Sequence, residues 1–248
     1  YERLGPSLFI EPINLLIDTP EEISVQLNKS NITKVERLIY SHLDPDHVNG
    51  IRVLEQLKLD YTQDPPKNTG LPIKLYLTKE QIKLLSKINT QYGPCLPYFE
   101  NLKLVRTEVF EKVLELNDLK IIYELIPGKT KMYSIIVYYE NKKIVLLLDD
   151  LKGIEIKNDF YGADLLIIHS GVFTEDSKGK VLAGKNHPAF TDLYSFEETY
   201  EMVKKLKPKK CFLVHLEEAY DRSYEDYKII EKSYPEIKFA YDGLVINL

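Results

Sequence analysis

A chain of 248 residues with 44% apolar composition is long enough to bury one large core, which sets it apart from disordered or fibrous sequences. A formal net charge of −5 gives no general attraction to polyanions, so a long nucleic acid is not an expected partner; Lys204, Lys205, Lys207, Lys209 and Lys210 read as the solvated end of a helix. The only two cysteines, Cys95 in a Gly-Pro-Cys-Leu-Pro loop and Cys211 in an apolar run, exclude a disulfide framework or a Cys-rich zinc knuckle. No apolar run approaches the roughly 20 residues that span a bilayer, and no basic-then-apolar leader is visible, so a soluble, cytoplasmic protein without membrane partners is expected.

Taken in chain order, Gly5 to Thr19 reads as a strand pair, Glu21 to Leu27 as a short helix and Val35 to Ser41 as a buried strand, with a helix from Asn49 to Leu57. Asp60 to Leu71, rich in Pro, Asn, Asp and Gly, reads as a loop. Leu75 to Leu77 is a strand before a helix opening at Thr78, where Thr78 and Gln81 form a capping-box pattern. Asn89 to Pro97 reads as an ordered loop. The second half shows strands at Leu119–Ile126, Ser134–Tyr139, Ile144–Leu148 and Leu165–Ile168. A helix from Ser195 to Leu206, capped by Ser195 with Glu198, then precedes a strand at Cys211–His215. This alternation predicts an α/β protein.

The chemistry concentrates in His42-Leu43-Asp44-Pro45-Asp46-His47, where four metal-capable side chains occupy six positions between a strand and a helix. Asp149, Asp150, His169 and His215 likewise follow apolar runs, so each is expected at the carboxyl end of a strand, where open α/β sheets hold ligands. A histidine in such a place can also be a rim residue with a satisfied hydrogen bond, and for His169 both readings stay open. Glu217 and Glu218 are either partners that orient the neighbouring ligands or exposed turn residues.

The six-residue cluster resembles the His-x-His-x-Asp-His signature of the metallo-β-lactamase superfamily, with Asp44 in the place of the second histidine. The likeness continues through Ile13–Thr19, Ile126-Pro127-Gly128-Lys129-Thr130, Lys143–Asp150 and Cys211–His215, in family order. It implies one domain over residues 1–248 with a four-layer αββα sandwich, and a further strand upstream of Tyr1. It also implies a divalent metal, Zn before Fe or Mn, in one or two ions. The implied ligands are His42, Asp44, Asp46, His47, His215 and a bridging aspartate, Asp150 in preference to Asp149.

Lys129 stands where the family has a ligand histidine. An ammonium facing the Asp44 carboxylate would take the place of the first ion and leave a one-metal site; two ions, held with Asp44 as an oxygen ligand, is the competing expectation. The likeness further implies hydrolysis by a metal-activated water, with Asp46 orienting it and Lys129 stabilising developing charge. His187, in Asn186-His187-Pro188, resembles the phosphate-contacting histidine of the phosphodiesterase branch, or else caps a loop. The expected substrate is a small phosphodiester or related ester, and a homodimer is allowed. The alternative is a non-catalytic relative that binds a metabolite or protein. The Gly-x-Ser-x-Gly elbow and the Gly-rich dinucleotide fingerprint are both missing from the sequence, which disfavours serine-hydrolase and flavin chemistry.

Overall fold

The computed structural model describes residues 3–116, 119–127 and 131–248. The chain divides into two compact units, Leu4–Glu111 and Lys112–Leu248, the second joined by Arg3.

The first unit is built on a five-stranded sheet in sequential order: β1 (Leu8–Ile10), β2 (Leu15–Ile17), β3 (Arg37–Ile39), β4 (Ile73–Leu77) and β5 (Val105–Val109). Only the β1–β2 pair is antiparallel. Parallel neighbours need crossovers, and helices supply them. They are α1 (Ile23–Lys29), then α2 (Pro45–Val48) and α3 (Val53–Lys58) with a 3-10 turn between, then α4 (Lys79–Leu85) and α5 (Cys95–Asn101). Leu16, Leu38, Leu75, Leu54, Leu85 and Phe99 share one buried cluster, so sheet and helices seal a single core. Thr78 caps α4 with the expected box, its hydroxyl accepting from the Gln81 N–H at 3.2 Å.

The second unit carries seven strands, again in sequential order: β6 (Val113–Leu116), β7 (Leu119–Leu125), β8 (Tyr133–Tyr139), β9 (Lys142–Leu147), β10 (Leu165–His169), β11 (Cys211–Val214) and β12 (Lys238–Phe239). The first four run antiparallel and the pairs from β9 onward are parallel. α6 (Phe196–Leu206) and α7 (Tyr224–Ser233) serve the parallel part. Val145, Leu147, Leu166, Ile168 and Leu213 of the sheet pack in one cluster with Phe196, Val203, Leu206 and Tyr227 of these helices. Register pairs Leu147 with Ile168 and His169 with Val214, so β9, β10 and β11 end at one edge. Among the described residues no helix is long and apolar enough to cross a membrane.

Three expectations are corrected. Asn89 to Pro97 is not a loop throughout, because α5 begins at Cys95. β5, β6, β12 and α7 were not foreseen. The metal-capable cluster is itself partly helical: Asp44 stands at the N-cap position of α2 without a side-chain capping bond, and Pro45 opens the helix at the position where a missing N–H costs nothing.

Candidate metal centre

In the first unit, strand register brings together the residues that leave β2 and β3. Ile17 pairs with Ile39, and the Asp18 N–H donates to the Ile39 carbonyl at 3.0 Å, so Asp18 stands beside the chain that continues into Ser41 and His42. The turn after Asp18 is then tied to α2: Thr19 N–H donates to the His47 carbonyl and Gly50 N–H to the Thr19 carbonyl, both at 2.8 Å. Only glycine fits at position 50, since a Cβ there would lie 1.9 Å from the Pro20 carbonyl oxygen.

The Asp18 carboxylate, 1% exposed, sits at the centre of a buried network. It accepts from the Ser41 N–H at 2.7 Å and the Ser41 hydroxyl at 2.5 Å, and pairs with His47 Nδ1 at 2.9 Å. With its proton given to Asp18, the Ser41 oxygen lies 3.0 Å from His42 Nδ1 as an acceptor. Both imidazoles therefore carry their proton on Nδ1. Their Nε2 atoms face carboxylates: His47 Nε2 is 3.4 Å from Asp46 Oδ2, and His42 Nε2 is 3.9 Å from Asp44 Oδ2. The two rings lie 4.0 Å apart between centroids.

The second unit repeats this plan at the ends of β9, β10 and β11. His215 Nδ1 is 3.0 Å from Glu217 Oε1, and its Nε2 is 3.5 Å from Asp149 Oδ2. The bond to His215 holds the Glu217 carboxyl below its usual range, outweighing its partial desolvation. His169 Nε2 is 3.5 Å from the other oxygen of Asp149, with the two rings 4.9 Å apart. Asp18, Asp150 and His215 all adopt left-handed backbone, at φ of +65°, +41° and +60°. Such conformations collect where a site fixes the backbone.

In each unit a cation fits this chemistry. A histidine that gives its Nδ1 proton to a carboxylate presents Nε2 as a ligand, the arrangement typical of metal-binding imidazoles. An Nε2 lone pair facing a carboxylate oxygen at 3.4–3.9 Å is repulsive unless positive charge lies between them. Two donors each about 2.0–2.1 Å from one tetrahedral ion would stand about 3.3 Å apart. Nitrogen and carboxylate donors suit Zn²⁺, Fe²⁺ and Mn²⁺.

Of the residues singled out in the sequence, His42, Asp44, Asp46 and His47 are gathered in the first unit. In the second, the structure brings Asp149 to His215, whereas Asp150 donates its backbone N–H to Asp149 Oδ1 at 2.9 Å. His187 is exposed and caps the short 3-10 helix Pro188–Thr191, accepting from the Ala189 N–H. Lys129 lies outside the described residues. Sequence reasoning gave no role to Asp18 or Ser41, although an acidic residue at the end of a strand preceding the cluster was the available signal.

Two sheets of this topology, with His/Asp clusters at the strand ends, define the class: the chain has the α/β metallo-β-lactamase fold. No protein-family profile matches the sequence, nor does any curated protein sequence. Solved structures do match. A diphosphatase from the PhnP family is similar at TM-score 0.70 and 20% identity, over 97% of this chain and 82% of that one. Zn²⁺-bound PqqB from Methylobacterium extorquens gives 0.70 and 16%, over 99% and 88%. The short form of human tRNase Z gives 0.66 and 17%, over 98% and 92%.

Proposed function

We propose that this protein is a metal-dependent hydrolase acting on a small phosphodiester or related ester. The observation that carries the reading is the shared polarity of His42, His47 and His215: each has its Nδ1 proton tied to an internal acceptor and its Nε2 turned to a carboxylate. Structural neighbours that include a diphosphatase and a tRNase support hydrolytic chemistry without selecting a substrate. The proposed ligands within the first unit are His42, Asp44, Asp46 and His47; those within the second are His215 and Asp149, which is preferred to Asp150 on its proximity to His215.

A bound divalent cation would supply a water that deprotonates near neutral pH and a Lewis acid for the substrate oxygen. Asp46, half exposed beside His47, would orient such a water and accept its proton. His187, exposed at the cap of the 3-10 helix Pro188–Thr191, is the proposed donor to the leaving group. Lys129 is assigned to the developing negative charge on sequence alone. With Asp44 and Lys129 replacing two histidines, one ion is the proposed stoichiometry.

The test is hydrolysis of bis-p-nitrophenyl phosphate by the zinc-, iron- or manganese-loaded protein, with metal content measured alongside. One ion per chain, turnover, and a roughly 10²–10⁴-fold loss of kcat in Asp46→Ala are expected. Stoichiometric metal without turnover of any ester would leave the metabolite-binding reading, which the two replaced ligands favour. Two ions at full occupancy would remove the role given to Lys129.

A further inference from the structure

Four of the five histidines place a ring Nε2 against a carboxylate, but one of them is wired in reverse. His169 Nδ1 receives a hydrogen bond from the Gly171 backbone N–H at 2.8 Å. An N–H can only donate, so Nδ1 is the acceptor and the proton of the neutral ring sits on Nε2. The loop gives the donor no freedom to turn away. Gly171 has φ +76°, and a Cβ there would lie 2.5 Å from the Ser195 carbonyl oxygen. The next residue is held from both sides, Val172 N–H donating to Tyr194 at 2.9 Å and Val172 accepting from the Phe196 N–H at 3.1 Å.

We propose that His169 is a positioning residue for the Asp149 carboxylate rather than a metal ligand. Its Nε2–H addresses Oδ1 of Asp149, 3.5 Å away, while Oδ2 faces the His215 lone pair at the same distance. The carboxylate is thereby held between a donor and an acceptor. One oxygen faces a donor of the protein, and the other is presented beside His215, where the pair would hold a cation. The same Oδ1 accepts the Asp150 backbone N–H at 2.9 Å, which fixes the side of the carboxylate that His169 faces. His169, 4% exposed, is buried deeply enough for this orientation to persist.

The inference rests on the metal-centre reading, and its test separates the two. Long-range ¹H–¹⁵N NMR on the metal-free protein reads the tautomers directly: Nε2–H for His169, and Nδ1–H for His42, His47 and His215. A proton on His169 Nδ1 would overturn the proposal whatever binds. Zinc affinity, measured against a chromophoric chelator, supplies the second readout. His169→Gln places an amide N–H near the Nε2 position and should bind zinc close to wild type. His169→Asn keeps only an acceptor for Gly171 and should lose about 10–100-fold, as partners of ligating carboxylates do. The opposite ranking would mean that the ring merely anchors the loop, and loss of one whole ion in both variants would make it a ligand. Absence of zinc binding by wild type would end the metal reading and leave the tautomer assignment standing.

Discussion

Replacing Asp18 by Asn changes one oxygen into an amide nitrogen and should undo the candidate site of the first unit. Asp18 accepts three bonds, from Ser41 N–H, Ser41 Oγ–H and His47 Nδ1–H, at 2.7, 2.5 and 2.9 Å. The Asn carbonyl can keep the Ser41 N–H, and Asn tolerates the left-handed backbone at this position. The amide then points hydrogens at the Ser41 oxygen and His47 Nδ1. Two bonds to a charged acceptor, at about 1.5–3 kcal/mol each, set a gross loss of roughly 3–6 kcal/mol. His47 recovers one neutral bond of about 1 kcal/mol by shifting its proton to Nε2, which leaves a net loss of roughly 2–5 kcal/mol. That shift also removes the lone pair from the nitrogen that faces Asp46, so zinc affinity should fall at least 10–100-fold. Urea unfolding, zinc competition and the His47 ¹⁵N shifts measure the three effects. A variant with wild-type stability and affinity, or with His47 still protonated on Nδ1, would refute the reasoning.

Glu217→Ala should release the His215 ring and weaken zinc binding about 10–100-fold without loss of fold, read by chelator competition and circular dichroism. Gly171→Ala should cost roughly 1–3 kcal/mol in urea unfolding, because a side chain must enter a left-handed backbone against Ser195. Ser195→Ala should cost about 1 kcal/mol by unstopping α6, measured the same way. The Ser195 N–H holds the Glu198 carboxyl below its usual range, with Lys152 assisting. A lowered carboxylate stabilises the fold above its unfolded pKa and loses that contribution as pH falls through the lower folded value. The stability gap between wild type and Glu198→Gln should therefore narrow from pH 7 to pH 3.

The elements that the sequence made legible are those whose local rules act alone. Thr78 with Gln81 and Ser195 with Glu198 place both helix starts, because a capping box needs only its own four residues. Ser223 with Asp226 forms the same box for α7, but its shorter acid hides the pattern. α5 was masked by Pro94 and Pro97, which look like loop residues. Pro94 in fact precedes the helix and Pro97 falls in its first turn, where no N–H is needed. The strand ends bearing His42, Asp149, His169 and His215 were readable from apolar runs. The distinction between Asp149 and Asp150 was not, because consecutive residues at the end of a strand differ only in backbone turn, and Asp150 takes the left-handed one.

What decides the role of each histidine lies one bond away from the ring. A carboxylate or a committed hydroxyl at Nδ1 leaves Nε2 as a ligand, as at His42, His47 and His215. A backbone N–H at Nδ1 makes Nε2 a donor, as at His169. Residue spacing cannot encode that difference, since His42, His169 and His215 all stand at the ends of apolar runs in the same way. The partners come from β2 for His47, from the preceding residue for His42, and from turns two residues onward for His169 and His215. The same side chain therefore serves as ligand or as orienting group according to a neighbour's polarity. Exchanging that polarity by single substitutions, at Asp18 or Glu217, tests the centre more sharply than deleting any ligand.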